Sequence, residues 1–228
     1  MSAFSIILAG GTGQRFGSEI PKQFIEVKGV PLFMYSVRKF AAFEPVEKIV
    51  LVISPQWQNY VRSSIEKEGL ADKVIFAPAG KSRQHSVLNG LKALEGIAAD
   101  NDPVFVHDSV RPLFPVSNLS DGLLALGKYD AALPVISVKD ATYRSTDGGE
   151  LTAILPRTEL YSGQSPECLR YGPFVKAHSQ FTEDELTSIR GCSELAFRAG
   201  MRVKLIDGIE QNFKITTKED LQAFTLLA

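Results

Sequence analysis

Residues 4–24 constrain the fold of this chain most. They open with an apolar run at 4–8, typical of a strand that is buried on both faces. The run breaks into the glycine-rich residues 10–13, and Arg15 and Lys22 lie beyond the break. Such a turn exposes backbone N–H groups where a polyphosphate can approach without meeting a Cβ, and two cations can neutralise its charge. The stretch therefore predicts a nucleotide triphosphate site at the end of the first strand.

Short β-prone runs alternate with amphipathic segments along the rest of the chain. The runs lie at 46–54, 74–76, 103–107, 131–137 and 201–206. Segments with helical spacing lie at 32–43, 56–68, 83–95, 117–128, 174–180 and 193–199. This alternation predicts an α/β fold, with a mostly parallel twisted sheet flanked by helices, as one domain over residues 1–228. Ligands collect at the carboxyl ends of the strands in such sheets, which places the glycine turn at the binding edge.

Residues 139–160 differ from the rest of the chain. Two short β-prone pieces, 141–145 and 150–154, flank the polar residues 146–149, which include Asp147-Gly148. An Asp-Gly pair between such pieces is a good hairpin signal. Because the segment is too polar to add to the core, we expect a projecting β-arm.

Composition argues against several classes of partner. The net charge is −1 at pH 7, which offers no basic surface for nucleic acid or an anionic membrane. The cysteines, Cys168 and Cys192, are too few for a disulfide framework and fit a reducing compartment. The start of the chain lacks a basic segment, and its apolar run is too short to span a bilayer. We therefore expect a cytoplasmic protein that binds neither nucleic acid nor membrane.

The glycine turn has alternatives that the residues themselves leave open. Residues 11–17 come close to the dinucleotide pattern Gly-x-Gly-x-x-Gly, with the last glycine one position later, at Gly17. However, Arg15 and Pro21 fall where the helix of that fold should continue, and no ribose-binding acid follows the strand at 46–54. The Gly-Lys-Ser/Thr of a P-loop is absent from this position. A plain glycine turn is the remaining structural interpretation.

Asp108 follows directly on the predicted strand at 103–107. A carboxylate at that edge suits a hard cation such as Mg²⁺, which keeps most of its waters and bridges phosphate oxygens. Asp108 capping the next turn is the alternative. For His107, a packed core histidine is the favoured interpretation. For Arg83, a salt bridge or a solvated cation is the structural alternative to a ligand contact.

Six motifs follow one another along the chain. They are LAGGTG at 8–13, PKQF at 21–24, GKSRQHSV at 80–87, VHDSVRP at 106–112, GQSP at 163–166 and NFKITT at 212–217. In order and spacing this set resembles the nucleotidyltransferases that join a sugar-alcohol phosphate to CTP. The nearest members of that family are the 2-C-methyl-D-erythritol 4-phosphate and the ribitol-5-phosphate cytidylyltransferases.

The resemblance implies a Rossmann-like nucleotidyltransferase with Mg²⁺ as cofactor and CTP and a polyol phosphate as substrates. It implies catalytic roles for Arg15, Lys22 and Lys214, and a metal-binding role for Asp108. The residues implied at CTP are Leu8, Ala9, Gly10, Gly11, Thr12, Gly13, Gly80, Arg83 and Ser86. Arg111 is implied at the acceptor, and Arg157 would reach the acceptor site of the partner in a homodimer formed through the arm. An exposed arm arginine is the alternative for Arg157.

Two positions depart from the family. The erythritol branch has Asp-Thr where this chain has Asp140-Ala141, and both branches carry Thr-Asp where residues 188–192 hold no acid. Ser109-Val110 and the stretch 161–164 look more like the ribitol branch. We therefore favour ribitol 5-phosphate as acceptor, with methylerythritol phosphate as runner-up. A sugar 1-phosphate nucleotidyltransferase and a non-catalytic module that binds CTP or a CDP-polyol remain as alternatives.

Overall fold

The computed structural model describes residues 2–11, 16 and 20–228. Its strands are β1 Ala3–Leu8, β2 Glu26–Val27, β3 Val30–Pro31, β4 Val46–Ile53, β5 Val74–Pro78, β6 Pro103–Asp108, β7 Ala131–Ser137, β8 Thr142–Arg144, β9 Ala153–Leu155, β10 Tyr161–Gly163, β11 Glu167–Arg170 and β12 Val203–Asp207. Its helices are α1 Leu32–Ala42, α2 Gln58–Lys67, α3 Arg83–Lys92, α4 Ser117–Ala125, α5 Tyr171–His178, α6 Glu183–Ser188, α7 Cys192–Arg198 and α8 Lys218–Leu227.

Eight strands of the described chain form one sheet. Strands β6, β1, β4 and β5 lie side by side and run parallel. Strand β11 pairs antiparallel with both β6 and β7, and β12 pairs parallel with the other edge of β7. The carboxyl ends of β1, β4, β5 and β6 therefore meet at one edge of the sheet, as predicted.

The sheet is buried on both faces because its central strands direct apolar side chains to both of them. From β1, Ile7 faces one core cluster, together with α1, α2 and α4. Phe4 and Ile6 face a second cluster, built with α3, α5, α6 and α7. Each such buried side chain contributes about 1.5–3 kcal/mol, so these strands hold the binding edge in a fixed position. Helix α8 packs Phe224 into a third cluster with Ile215, close to the end of β6.

The predicted arm contains an antiparallel hairpin. Strands β8 and β9 pair with each other, and in the described part of the chain neither pairs with the main sheet. The turn is held by Asp147, whose Oδ1 accepts hydrogen bonds from the N–H groups of Gly149 and Glu150 at 2.9 and 3.1 Å. Tyr143 and Ile154 are exposed on the hairpin strands.

Sequence patterning found most elements with ends that shift by a few residues. The predicted strand at 131–137 matches β7, and the predicted helix at 117–128 ends earlier, with α4 at Ala125. The predicted helix at 174–180 begins earlier, because α5 starts at Tyr171 directly after β11. Strands β10 and β11 and helix α6 were not predicted, since each has six residues or fewer and shows no clear period.

Candidate active site

The carboxyl ends of the central strands border a cleft of about 510 Å³. We name it the donor cleft. The predicted residues that line it are Leu8, Ala9, Gly10, Gly11, Lys22, Gly80, Arg83, Ser86, Asp108 and Lys214. The predicted Thr12, Gly13 and Arg15 lie outside the described residues. The cleft thus brings together residues that are separated by more than two hundred positions in the sequence, as the fold class requires.

The first loop of the donor cleft is tied down by polar side chains from neighbouring segments. Gln23 is 3% exposed, and its Nε2 donates to the carbonyls of Ala9 and Gly11 at 2.8 and 2.7 Å. The Ser54 hydroxyl donates to the Gly10 carbonyl at 3.1 Å. Gly10 also has no space for a side chain, because a Cβ there would lie 2.4 Å from the Cβ of Ala79. Sequence analysis quoted Gln23 within the PKQF motif but gave it no role; its position two residues after Pro21 was the available signal.

The loop that precedes α3 forms the opposite wall of the donor cleft. Ser82 is the N-cap of α3 and accepts from the N–H of His85. The Ser86 hydroxyl accepts from the N–H of Gly80 at 2.9 Å, which closes the loop on itself. A Cβ on Gly80 would lie 2.5 Å from the Cβ of His85 and 2.6 Å from its carbonyl carbon. Only glycine fits this tight turn, so the loop presents backbone groups to the cleft at close range.

Asp108 lies at the end of β6 between two cations. Its Oδ2 accepts from Lys214 Nζ at 2.8 Å, and its Oδ1 lies 3.4 Å from Nη2 of Arg83. Burial opposes ionisation of this carboxyl, but the charges of Arg83, Lys214 and Arg111 hold its pKa well below its usual range. Asp108 is therefore an anion at neutral pH.

Lys214 reaches this position because its segment is fixed on both sides. The N–H of Ile215 donates to the carbonyl of Val110 at 2.9 Å, which joins the segment to the loop after β6. A capping box between Thr217 and Asp220 then starts α8. The lysine side chain remains 39% exposed toward the clefts.

A second cleft of about 800 Å³ lies beside the first. We name it the acceptor cleft. Arg83, Asp108 and Lys214 line both clefts and so form the wall between them. The predicted Arg111 lines the acceptor cleft, where its Nη1 donates to the Asn212 carbonyl at 2.7 Å. Its buried Nε has no hydrogen-bond partner among the described residues.

Arg157 does not belong to either cleft as the described residues define them. It lies at the base of the arm, is exposed, and donates from Nη1 to the Lys139 carbonyl at 2.8 Å. Its predicted role at the acceptor therefore requires a second protomer and stays a prediction.

His107 is fully buried, which confirms the core interpretation. Its Nε2 lies 3.0 Å from the Ser36 hydroxyl, and its Nδ1 lies 3.0 Å from the Ser165 hydroxyl. Ser165 also accepts from the N–H of Asp108 at 3.1 Å. Burial lowers the pKa of His107 from 6.5 to about 3, so the ring is neutral and connects α1, β6 and the loop before β11.

Sequence analysis missed Glu167, the first residue of β11. Glu167 is 4% exposed, lines the acceptor cleft, and its Oε1 lies 3.1 Å from Nη2 of Arg83. The available signal was an acid at the start of the otherwise apolar run Cys168–Leu169. A buried charge in such a run needs a partner and deserves notice for that reason.

The residues present fit a magnesium ion held mainly by substrate. In the described chain, no group of three or more His, Cys, Asp or Glu side chains is arranged to hold a metal. Mg²⁺ does not need such a cage, because it binds through one or two carboxylates together with phosphate oxygens and water. Asp108 supplies one ionised, partly exposed carboxylate at the mouth of both clefts.

Comparison with known proteins agrees with this arrangement. The family model described as IspD, 2-C-methyl-D-erythritol 4-phosphate cytidylyltransferase, matches residues 3–227. The chain belongs to the IspD family. Its members are cytidylyltransferases, so this protein is a nucleotidyltransferase. Family membership excludes the dinucleotide-binding and the sugar 1-phosphate nucleotidyltransferase alternatives.

The family contains relatives that are named for two different acceptors. The 2-C-methyl-D-erythritol 4-phosphate cytidylyltransferase of Geobacillus thermodenitrificans is 34% identical over 221 residues, covering 97% of this chain and 94% of the relative. The ribitol-5-phosphate cytidylyltransferase of Streptococcus pneumoniae serotype 2 is 31% identical over 221 residues, covering 95% and 94%.

Solved structures share the fold. The crystal structure of the Francisella tularensis 2-C-methyl-D-erythritol 4-phosphate cytidylyltransferase superposes on this chain with a TM-score of 0.85 at 23% identity, covering 100% of both chains. This likeness confirms the predicted α/β fold with its largely parallel sheet. No helix of the described chain combines the length and the apolar character that crossing a membrane would need.

Proposed function

We propose that this cytidylyltransferase joins CTP to a polyol phosphate, with ribitol 5-phosphate favoured, and releases pyrophosphate and a CDP-alditol. The observation that carries the proposal is the common wall of the two clefts. Arg83, Asp108 and Lys214 face both of them, so a nucleotide in the donor cleft and a phosphate in the acceptor cleft meet at the same charged groups. This is the arrangement that a transfer between two bound substrates requires.

The donor cleft suits CTP. The tight turn at Gly80 and the Ser86 hydroxyl close the end of the cleft that would hold the cytosine ring. Backbone groups of the turn and the hydroxyl of Ser86 offer hydrogen-bond donors and acceptors to this small ring. A purine would be too large for such a pocket, so the choice of pyrimidine follows from its size. The triphosphate would extend toward Lys22 and Lys214, with Arg15 completing the cation set.

The reaction needs charge stabilisation more than it needs a base. An oxygen of the acceptor phosphate attacks the α-phosphorus of CTP, a new P–O bond forms, and the bond to the β-phosphate breaks to release pyrophosphate. The attacking group is already an anion, so no side chain has to remove a proton from it. Lys22, Lys214 and Arg15 stabilise the charge that develops at the α-phosphoryl oxygens and at the leaving group.

We propose Mg²⁺ as the cofactor, with Asp108 as its protein ligand. When bound, the ion supplies additional positive charge at the phosphate oxygens. Asp108 suits this role because it is ionised, and its contact with Lys214 would keep that ammonium group beside the same phosphates.

Two acceptors have specific support. Ser109-Val110 and residues 161–164 favour ribitol 5-phosphate, as does the polar lining of the acceptor cleft, which includes Thr187 and Glu194. Hydroxyl groups on successive carbons of an unbranched polyol would match such a lining. The name shared by the family model and the Geobacillus relative favours 2-C-methyl-D-erythritol 4-phosphate as the second candidate.

We also propose a cytoplasmic homodimer that forms through the arm. Tyr143, Leu151 and Ile154 are 59%, 55% and 70% exposed on the arm, although each is a large apolar residue. A partner surface would remove them from water. In such a dimer, Arg157 would be the arm residue that approaches the partner's acceptor cleft.

A substrate panel tests the proposal. The purified protein is incubated with Mg²⁺, one of the four common nucleoside triphosphates and one phosphate from the series ribitol 5-, methylerythritol 4-, erythritol 4- and glycerol 3-phosphate. We expect pyrophosphate release with CTP and fastest with ribitol 5-phosphate. Fastest turnover with methylerythritol phosphate would establish the second candidate, and CTP binding without any release would indicate a binding module.

Lys214→Met tests the common wall, and Lys128→Met is its matched control. Both changes remove one ammonium group, but Lys128 is exposed and belongs to neither cleft in the described chain. We expect Lys214→Met to lose about a hundredfold or more in turnover and Lys128→Met to keep it. Equal activity of the two variants would contradict the assigned role of the common wall.

A further inference from the structure

Helix α7 begins without a side chain to cap it. Its N-cap residue is Gly191, and the residues before it hold no acid where the family carries Thr-Asp. The first N–H groups of a helix need acceptors, and a side-chain oxygen at the N-cap is the usual one. A buried helix start without such a group needs an acceptor from elsewhere in the fold.

Glu167 provides that acceptor from the neighbouring strand β11. Its Oε2 accepts from the N–H of Ser193 at 2.6 Å, and its Oε1 accepts from the N–H of Cys192 at 3.2 Å. Both N–H groups belong to the first turn of α7. The carboxylate therefore occupies the place that an acidic N-cap side chain would serve, although it comes from a different element.

The same carboxylate holds the guanidinium of Arg83. Nη2 of Arg83 lies 3.1 Å from Glu167 Oε1 and 3.4 Å from Asp108 Oδ1, and Nη1 donates to Cys192 Sγ at 3.2 Å. Arg83 is the central residue of the wall between the clefts. Its planar fork can bridge two carboxylates, and each one fixes part of its orientation.

We propose that Glu167 is a positioning residue that takes over the role of the missing acid and holds Arg83 between the donor and acceptor clefts. The inference rests on the proposed function for its kinetic consequence. Arg83 is a partly buried charge, with 23% of its side chain exposed, and its two carboxylate partners oppose the cost of burial. Without Glu167, Asp108 would be the remaining charged partner, and Arg83 would be drawn away from the acceptor side.

The structure leaves room for a carboxylate at residue 191, the N-cap position of α7. Gly191 has φ −122° and ψ 156°, an extended conformation that any residue adopts. The nearest atom to a Cβ built there is Glu167 Oε2 at 3.8 Å, which is an ordinary contact. An aspartate at 191 would be an N-cap residue of the preferred type. The two positions should therefore be interchangeable as sources of one negative charge.

Moving the carboxylate from position 167 to position 191 gives a direct test. Four proteins are compared with the best acceptor from the panel: wild type, Glu167→Gln, Gly191→Asp and the double variant Glu167→Gln/Gly191→Asp. Glu66→Gln, an exposed change on α2, is the matched control. We expect Glu167→Gln to lower kcat about ten- to a hundredfold, with KM for CTP changed by less than about threefold. The double variant should recover most of that loss, and Gly191→Asp alone should gain nothing.

A second comparison separates positioning from simple support of α7. In an Arg83→Lys background, Glu167 has no guanidinium to orient, so Glu167→Gln should then cost less than about twofold. Full additivity of the two changes would overturn the positioning role. A double variant that melts like wild type but stays as slow as Glu167→Gln would overturn the exchange.

Hydrogen exchange at the first amides of α7 is independent of turnover. We expect faster exchange at Cys192 and Ser193 in Glu167→Gln and restored protection in the double variant. If wild type releases no pyrophosphate with any acceptor, the proposed function fails. Hydrogen exchange at Cys192 and Ser193 would still decide whether Glu167 replaces the missing acid. Unchanged protection in Glu167→Gln would refute that replacement.

Discussion

Acidification should destabilise this protein through one buried histidine. His107 is fully buried and neutral, and its ring nitrogens face the hydroxyls of Ser36 and Ser165. Burial lowers its pKa from 6.5 to about 3. Because the unfolded chain binds a proton at a higher pH than the folded chain, stability is fully present above pH 6.5 and falls as the pH falls toward 3.

The size of the effect follows from these two values. Linkage gives at most about 1.4 kcal/mol for each pH unit, and about 1.5 kcal/mol between pH 6.5 and pH 5. Most carboxyl groups of an unfolded chain have pKa values near 4, so this range reports mainly on histidine. The pKa of His178 is also lowered by burial, and its contribution has the same sign.

The assay is urea unfolding of wild type and His107→Gln at pH 6.5, 6.0, 5.5 and 5.0. Glutamine keeps a polar side chain but does not titrate, while His178 titrates in both proteins and cancels in the comparison. We expect the variant to be less stable overall, but to lose about 1.5 kcal/mol less than wild type across the range. Equal losses in the two proteins would refute the assignment of a neutral, buried His107.

Three further changes test the geometry of the clefts and the arm. Gly80→Ala should raise KM for CTP about tenfold or more, because its Cβ would lie 2.5 Å from that of His85; Gly149→Ala, in the turn of the arm, is the control, because a Cβ there would meet nothing nearer than 3.7 Å. Asp108→Asn should lower kcat about a hundredfold, and chelation of Mg²⁺ should abolish pyrophosphate release without lowering the melting temperature of the ligand-free protein. Ile154→Arg should convert the proposed dimer to a monomer in size-exclusion chromatography, with Leu124→Arg as an exposed apolar control; a retained dimer would contradict the arm interface.

The sequence predicted the helices and strands best where their burial produces a regular pattern of apolar residues. Strands β1, β4 and β6 are apolar because both faces are covered, so their runs predicted a parallel sheet and its binding edge. Strand β11 carries the same kind of run, but it has four residues and follows the loop 163–166, so it could not be separated from a turn. Helix α6 is six residues long, and its capping box, Thr182 with Glu185, was the signal that could have found it.

The candidate site divides in the same way. The residues at strand ends, such as Asp108, followed from the fold class, and Lys214 followed from the family motif. The role of Glu167 could not be predicted, because it depends on α7 lying against β11 and on a glycine at 191. Such contacts join elements that are far apart in sequence, and only the packed structure brings them together. Residues 188–192 hold no acid, yet the carboxylate of Glu167 accepts hydrogen bonds from the N–H groups of Cys192 and Ser193.

The common wall of the clefts also has a thermodynamic consequence for how the two substrates bind. Lys214 and Arg83 share the single carboxylate of Asp108. A triphosphate in the donor cleft would compete for Lys214, and a phosphate in the acceptor cleft would compete for the same pair of cations. We therefore expect the two free energies of binding to be coupled, and reciprocity requires that CTP change the affinity for the acceptor by the same factor as the acceptor changes the affinity for CTP. Such coupling would pass through the side chains that line both clefts, which are Arg83, Asp108 and Lys214 together with Lys81 and Ser82.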